Sequence, residues 1–346
     1  MTTTAIAPTN IAILKYWGKI KGQYHIPTKS SLSFTVEKLC STTSLAAGKG
    51  NMKIDFTLNG RKAKEGSKEH GYVSSYLTFL SETLPFIRNY DYQIVSENNF
   101  PTAAGFASSA SGFAALLKAL AGELDEFSGL RGDDKKLSAL ARLGSGSAAR
   151  SIPSEGGFVK WDRGSGEDWE KDPVYSSYAY SLFGPEHWPE LRIIYATVES
   201  REKKIRSLDG MAESVKTNPL YQAWVSHEES LLKNDMMEAV SKKDFEVLAH
   251  MIMQASNSFH SICHGTYPPI YYLKPKSLQI IDAIHKLNDG KVKAAYTFDA
   301  GPNPVIITRK KDEMEVLKLL DELVGEVNLF RTRPGTGPKY SKKHLL

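Results

Sequence analysis

Apolar positions along this 346-residue chain change period repeatedly, and each change marks a predicted element. Met52-Lys-Ile54-Asp-Phe56-Thr-Leu58 alternates strictly and predicts a strand; Asn59-Gly60 behind it is a two-residue hairpin turn. Tyr90-Asp-Tyr92-Gln-Ile94-Val95 predicts a second strand, and the Ala/Leu-rich run Phe113 to Ala121 a helix. Leu137 to Leu143 reads as a short helix and Gly157-Phe-Val-Lys-Trp161 as a strand. Residues 162–190, rich in Asp, Gly, Ser, Pro and Tyr, read as a long surface connection. The second half opens with a strand, Ile193 to Val198, followed by helical periods at about Leu220–Val240, Lys243–His260, Lys276–Lys286 and Asp312–Val324. Between the last two lie a strand at Ala294 to Phe298, a tight loop Asp299-Ala-Gly-Pro-Asn303 and a strand Val305 to Thr308. The sum is an α+β (mixed α/β) chain in two lobes, 1–190 and 191–346, breaking near 185–192.

Composition adds little to this picture: 41% hydrophobic and 24% charged residues suit a globular protein with ample core. No run approaches the ~18 apolar residues of a membrane span. The N-terminus lacks a basic region followed by an apolar stretch, so no secretory signal is expected. Two cysteines, Cys40 and Cys263, fit a reduced cytoplasmic protein without a disulfide framework. The net charge of +5 suits anionic small molecules and does not indicate nucleic acid. Basic residues crowd only at the end of the chain, Arg331, Arg333, Lys339, Lys342 and Lys343, which reads as a solvated tail.

Four segments carry candidate chemistry. Pro101-Thr-Ala-Ala-Gly105-Phe-Ala-Ser108-Ser109-Ala-Ser111-Gly112 lies between a predicted strand and a predicted helix and has no charge. A small-residue loop entering a helix offers unpaired N–H groups and the positive end of the helix dipole to an anion; it equally suits a packed helix cap. Asn10-Ile-Ala-Ile-Leu-Lys15-Tyr16-Trp17-Gly18-Lys19 brings two lysines and two aromatics to a strand end. Gly144 to Ser151 offers Ser145, Ser147 and Arg150 within a few residues, and arginine suits bidentate binding of carboxylate or phosphate. Asp299 follows an apolar strand on a Gly-Pro loop, where a carboxylate orients or deprotonates a hydroxyl, or simply caps its own turn. His260 and His264 lie four apart, more in keeping with helix packing than with a metal pair.

Together these segments resemble the GHMP superfamily, which includes the galactokinase, homoserine, mevalonate and phosphomevalonate kinases, and within it the mevalonate diphosphate decarboxylases. Asn10–Lys19 is similar to that family's N-terminal N-I-A-x-x-K-Y-W-G-K, 98–112 to its phosphate loop, and Ala141–Ser151 and Thr297–Asn303 complete the set. The resemblance runs from near residue 5 to about 308.

The resemblance implies a two-lobed GHMP-kinase-like fold. Its N-terminal, ATP-binding lobe has the βαβ character of a small ribosomal protein, and its C-terminal lobe is ferredoxin-like and carries Asp299. It implies ATP-dependent decarboxylation of 5-diphosphomevalonate to isopentenyl diphosphate in isoprenoid and sterol biosynthesis. Alternatives are action on 5-monophosphomevalonate to give isopentenyl phosphate, or a small-molecule kinase activity. The catalytic residues it implies are Asp299, Lys15 and Arg150. Tyr16, Lys19, Ser145, Ser147 and Arg150 would bind substrate. Ala104, Gly105, Ala107, Ser108 and Ser109 would bind ATP, with Ser109 a ligand to Mg²⁺. The implied partners are phosphorylated mevalonate and ATP, with no nucleic acid and no membrane, in a cytoplasmic homodimer. Three departures stand out. Lys29 occupies the place of Asn in the family's P-x-N-S-S, two extra residues follow Arg150 before Gly156-Gly157, and Phe106 stands for a usual Leu. The first two bear on recognition of the substrate's phosphate end.

Overall fold

A computed structural model describes residues 2–20, 24–100, 108–199, 201 and 204–346. It contains two sheets. The first lobe is built on β1 (Thr2–Leu14), β2 (Ser31–Lys49), β3 (Ile54–Leu58), β4 (Arg61–Lys62), β5 (Tyr90–Asn98), β6 (Phe158–Asp162) and β7 (Tyr178–Phe183). The second lobe carries β8 (Leu191–Ala196), β9 (Ala294–Phe298), β10 (Pro304–Arg309) and β11 (Leu329–Thr332); a last strand, β12 (Lys339–Ser341), returns to the first sheet. The order β12-β1-β2-β5-β3-β4, with β6 paired to β2 and to β7, makes an eight-stranded sheet. β3 and β5 run parallel, joined through the helix Lys68–Thr83, which supplies the expected βαβ unit. The second sheet, β11-β8-β10-β9, is antiparallel throughout, with the helices Phe245–His264, Pro275–Leu287 and Glu313–Val324 packed against it. This is the mixed α/β, GHMP-kinase-like architecture.

β1 is buried along nearly its whole length because both faces are covered. The helix Ser108–Glu123 lies against it from the first lobe, and the helix Phe245–His264 reaches it from the second. One hydrophobic cluster therefore crosses the lobes, joining Ile11, Ile13 and Phe34 to Ile194, Ile252 and Phe298. The shared core brings the last residue of β1 and the last residue of β9 to the same place.

The predicted strands and helices are present with shifted ends. Asn59 and Gly60 take the left-handed conformation (φ 47° and 72°) that the two-residue hairpin between β3 and β4 requires. The helical period at 220–240 is divided: Tyr221–Leu231, a π-helical turn Leu232–Met236, then Met237–Lys242. Residues 162–190 are not a bare connection. Ser165 and Asp168 form a capping box that starts the helix Gly166–Lys171. Tyr178–Phe183 then pairs antiparallel with β6. The buried Arg142 guanidinium holds the span between them by donating to the carbonyls of Pro173, Val174, Ser177 and Tyr24. Low hydrophobicity hid this segment because hydrogen bonds, more than apolar burial, order it.

The basic C-terminal segment is also not a solvated tail. Lys339–Ser341 adds to the edge of β1, and the Arg333 guanidinium donates to both carboxylate oxygens of Glu37 at 3.1 and 2.9 Å. Gly335 and Gly337 exchange backbone hydrogen bonds with Thr35, Gly157 and Ser154.

Candidate active site

Lys15 and Asp299 are each the first residue beyond a strand, β1 and β9. The Thr297 hydroxyl donates to the Ala12 carbonyl at 3.5 Å, hooking the two strand ends together. Lys15 Nζ donates to that same carbonyl at 2.9 Å and to Asp299 Oδ1 at 2.7 Å. The pair is asymmetric: the lysine side chain is 3% exposed and the aspartate 40%. Burial pulls the Lys15 ammonium below the ordinary lysine value, and the adjacent carboxylate works against that pull. Asp299 thus presents its free edge to incoming ligands while its other edge is held by a cation. Behind it, the Phe298 N–H donates to Ser256 Oγ at 3.0 Å, and Asn303 Oδ1 accepts from the N–H groups of Val198 and Glu199. The acidic loop is anchored at both ends.

Arg150 sits on the 3₁₀ turn Gly146–Ser151 and is 4% exposed. Its Nε donates to Asn10 Oδ1 at 3.1 Å and its NH1 to Ser31 Oγ at 2.9 Å, with the guanidinium 5.9 Å from the Trp161 ring centre. Burial draws it down to about 10, still protonated at neutral pH, and the Asp299 charge acts on it in the opposite sense. Asn10 is itself held: its amide donates to the Ser147 carbonyl at 3.1 Å and to Ser151 Oγ at 2.8 Å. An arginine fixed through two side chains presents its remaining donors in a fixed direction.

The serines converge as well. Ser145 Oγ lies 3.4 Å from Ser109 Oγ and 3.3 Å from Ser147 Oγ. Ser108 and Ser109 open the helix Ser108–Glu123, so these hydroxyls gather at its N-terminus, where unpaired N–H groups favour an anion. Ala104, Gly105 and Ala107 lie outside the described residues. Tyr16 packs on Trp161 at 4.6 Å, and burial raises its phenol. Its hydroxyl is buried without a hydrogen-bond partner, a group left for a ligand to satisfy. A side chain at Gly146 would put its Cβ 2.5 Å from that oxygen. Lys19 is half-buried, and desolvation lowers it to about 8.

The folded chain thus brings together the cations Lys15 and Arg150, the carboxylate of Asp299 and, through Asn10, the serine hydroxyls at a helix N-terminus, while Lys19 lies on the following segment, bridged to Pro27. Such a set has the charge to hold an anionic molecule and a carboxylate of the kind that can orient a hydroxyl and accept its proton. Among the described residues no cluster of three or more His, Cys, Asp or Glu stands ready for a metal ion. The hard oxygen donors at the helix end fit Mg²⁺ that arrives on phosphates, and Ser109 would be the residue to complete its ligands.

Comparison with known proteins shows the family. The diphosphomevalonate decarboxylase-like N-terminal domain matches residues 7–173, and the mevalonate 5-diphosphate decarboxylase C-terminal domain matches residues 193–340. The chain belongs to the diphosphomevalonate decarboxylase family. The diphosphomevalonate decarboxylase of Candida albicans is 39% identical over 339 residues, 96% of this chain and 91% of that one. That of Debaryomyces hansenii is 38% identical over 341 residues, 94% of this chain and 84% of that one. The crystal structure of mevalonate diphosphate decarboxylase from Staphylococcus aureus superposes with a TM-score of 0.89 at 32% identity, covering 99% of this chain and 98% of that one. A structure of MDDEF in complex with MVAPP, AMPPCP and magnesium has a TM-score of 0.87 at 32% identity, covering 99% of each chain.

The residues that hydrogen-bond Arg150 were not foreseen from the sequence. Asn10 opens the quoted lysine segment and Ser31 closes Pro27–Ser31, yet neither carries a charge that would single it out. Their contacts span 140 and 119 residues of chain, which no local pattern encodes.

Proposed function

We propose that this chain catalyses the ATP-dependent decarboxylation of 5-diphosphomevalonate to isopentenyl diphosphate, with Asp299, Lys15 and Arg150 as its reacting centre. The supporting observation is the half-exposed Asp299 carboxylate held at 2.7 Å by buried Lys15, with buried Arg150 close enough to feel its charge. ATP and Mg²⁺ are the co-substrate and cofactor; when bound, Mg²⁺ offsets charge on the phosphates. Residues 1–190 form the ATP-binding lobe and 191–346 the lobe that delivers Asp299.

A tertiary alcohol is a weak nucleophile. Asp299 orients the 3-hydroxyl and takes its proton as the oxygen bonds to the γ-phosphorus, and ADP leaves. Lys15 offsets the negative charge that moves toward the transferring group. Arg150 grips the C1 carboxylate and directs it. The C3–O bond then breaks with phosphate as the leaving group, while the C1–C2 bonding electrons form the alkene and release CO₂. The phosphate supplies the electron sink that no organic cofactor provides.

Tyr16, Lys19, Ser145 and Ser147 bind the 5-phosphates. The helix N-terminus with Ser108 and Ser109, preceded by Ala104, Gly105 and Ala107, binds the ATP phosphates. The half-buried Lys19 cation supports a diphosphate over a monophosphate. The enzyme works as a cytoplasmic homodimer in sterol and isoprenoid synthesis, a reading that the free thiols of Cys40 and Cys263 suit as regards compartment. Among the described residues no helix is long and apolar enough to cross a membrane.

The test follows ADP, phosphate and CO₂ from one preparation given 5-diphosphomevalonate or 5-monophosphomevalonate. Equal release of all three from the diphosphate is expected. ADP release without CO₂ identifies a kinase, and faster turnover of the monophosphate reverses the substrate assignment.

A further inference from the structure

Lys29, the departure in Pro27–Ser31, lies on neither sheet, and its side chain is 0% exposed. Its ammonium lies 3.4 Å from Glu228 Oε2, also 0% exposed, and 4.9 Å from the centre of the Trp224 ring. Glu228 belongs to the second-lobe helix Tyr221–Leu231, so this is a fully buried ion pair between lobes. Its surroundings are built to keep it there. Ser258 donates to Glu228 Oε1 at 2.7 Å and accepts from Trp224 Nε1 at 3.1 Å. The next residue, Ser30, donates its N–H to Glu229, and Ser31 Oγ accepts from Arg150. Three consecutive residues therefore link the second lobe to the guanidinium of the site.

A buried pair costs several kcal/mol per ion in desolvation and seldom adds net stability. Its retention in the core needs another reason, and its neighbours supply one. The charges of Glu228 and Glu229 favour protonated Lys29 and that of Arg150 opposes it; the charges of Asp299 and Glu228 favour protonated Lys15, that of Arg150 opposes it, and His260 feels Lys15; Arg163 lies 3.9 Å from Glu229. Glu228 thus acts on both Lys29 and Lys15, and Asp299 on both Lys15 and Arg150. Without Glu228, Lys29 would be left with Glu229, and Asp299 would have to balance Lys15 and Arg150 alone, although it is also the group that must accept a proton.

We propose that Lys29 and Glu228 are positioning residues of the reaction: their buried pair sets the charge balance around Lys15 and Arg150 and aligns Arg150 through Ser31. This deepens the decarboxylase reading and rests on it. The pair itself touches no substrate.

The experiment measures kcat at saturating 5-diphosphomevalonate against pH, a readout that a change in KM from Lys19 does not enter, for wild type, Glu228→Gln, Lys29→Met and the double variant. Glu228 favours protonated Lys15, so Glu228→Gln lets that proton leave earlier. Its basic limb moves down by about one pH unit. Lys29→Met removes a like charge and leaves Glu228 acting on Lys15 alone, so the basic limb moves up. The double variant returns toward wild type. Coincident limbs in folded Glu228→Gln, or a double variant no nearer wild type, overturn the proposal. If Glu228→Gln does not fold, an unmoved limb in Lys29→Met overturns it. The ¹³Cε chemical shift of Lys15 followed across pH reports the same titration without turnover. A wild type that releases no CO₂ therefore fails the reading of the reaction and leaves the test of the pair intact.

Discussion

Asp299 differs from a surface aspartate because one edge is already taken by Lys15 at 2.7 Å. Asp299→Asn removes the proton acceptor and uncovers a buried ammonium, so kcat should fall by about 10²–10⁴-fold with little change in ATP affinity. ADP and CO₂ release should fall together; a variant that keeps normal turnover removes Asp299 from the mechanism. Arg150 makes a different demand, since both Nε and NH1 are already committed to Asn10 and Ser31. Arg150→Lys keeps a charge and loses the fork, at a cost of about 1.5–3 kcal/mol per charged hydrogen bond, roughly 10- to 100-fold in kcat/KM. Lys19 is lowered to about 8 by burial, so it is charged at neutral pH and loses its proton as pH rises through that value. KM for the 5-diphosphate substrate should therefore climb above pH 8, and Lys19→Arg should flatten the climb. A KM as steep in Lys19→Arg as in wild type assigns the titration elsewhere.

At the scale of elements, the C-terminal segment shows what a sequence pattern conceals. Gly337 lies so close to the backbone of 153–154 that an added Cβ would stand 1.9 Å from the Pro153 carbonyl oxygen. The segment it presses on follows directly after Arg150. Gly337→Ala should cost roughly 1–3 kcal/mol as an overpacking change and raise KM by loosening the turn that holds Arg150. Urea denaturation and steady-state kinetics on one preparation check both; lost stability with KM unchanged would separate the tail from the site. Such a contact was illegible because close backbone packing leaves only glycine and charge in the sequence, the signature of a loose tail. The strands and helices were legible where burial is one-sided and periodic, as in Ile54–Leu58 and Glu313–Val324. They were illegible where hydrogen bonding does the ordering, as around Arg142 and Tyr178–Phe183. The site followed the same division. Lys15, Arg150 and Asp299 stand in long motifs, whereas Asn10, Ser31 and Glu228 act through contacts that only the assembled lobes create.

The whole molecule carries half-buried His25 in one lobe and buried His260 in the other, and together they predict its response to acid. His25 in the first lobe and His260 in the second are both lowered to about 3, chiefly by desolvation. Lys19 and Arg142 add to the effect at His25, and Lys15 and His264 at His260. In the folded chain both rings are neutral at pH 5, whereas in the unfolded chain each takes up a proton near pH 6.5. Their contribution to stability is thus complete above pH 6.5 and is lost progressively as pH falls from there toward 3. Each ring adds up to about 1.4 kcal/mol per pH unit to the slope in that window. His25→Gln and His260→Gln should each lower that slope, and the double variant should lower it by nearly the sum, since the rings lie in different lobes. Urea unfolding at pH 7, 6 and 5 gives the slopes directly. Parallel lines for wild type and double variant would mean that other groups govern the acid transition. A smaller effect of His260→Gln than of His25→Gln would instead point to the Lys15–Asp299 pair. Losing the neighbouring imidazole would then relax that pair, and the acid stability of the fold would be tied to the residues proposed for the reaction.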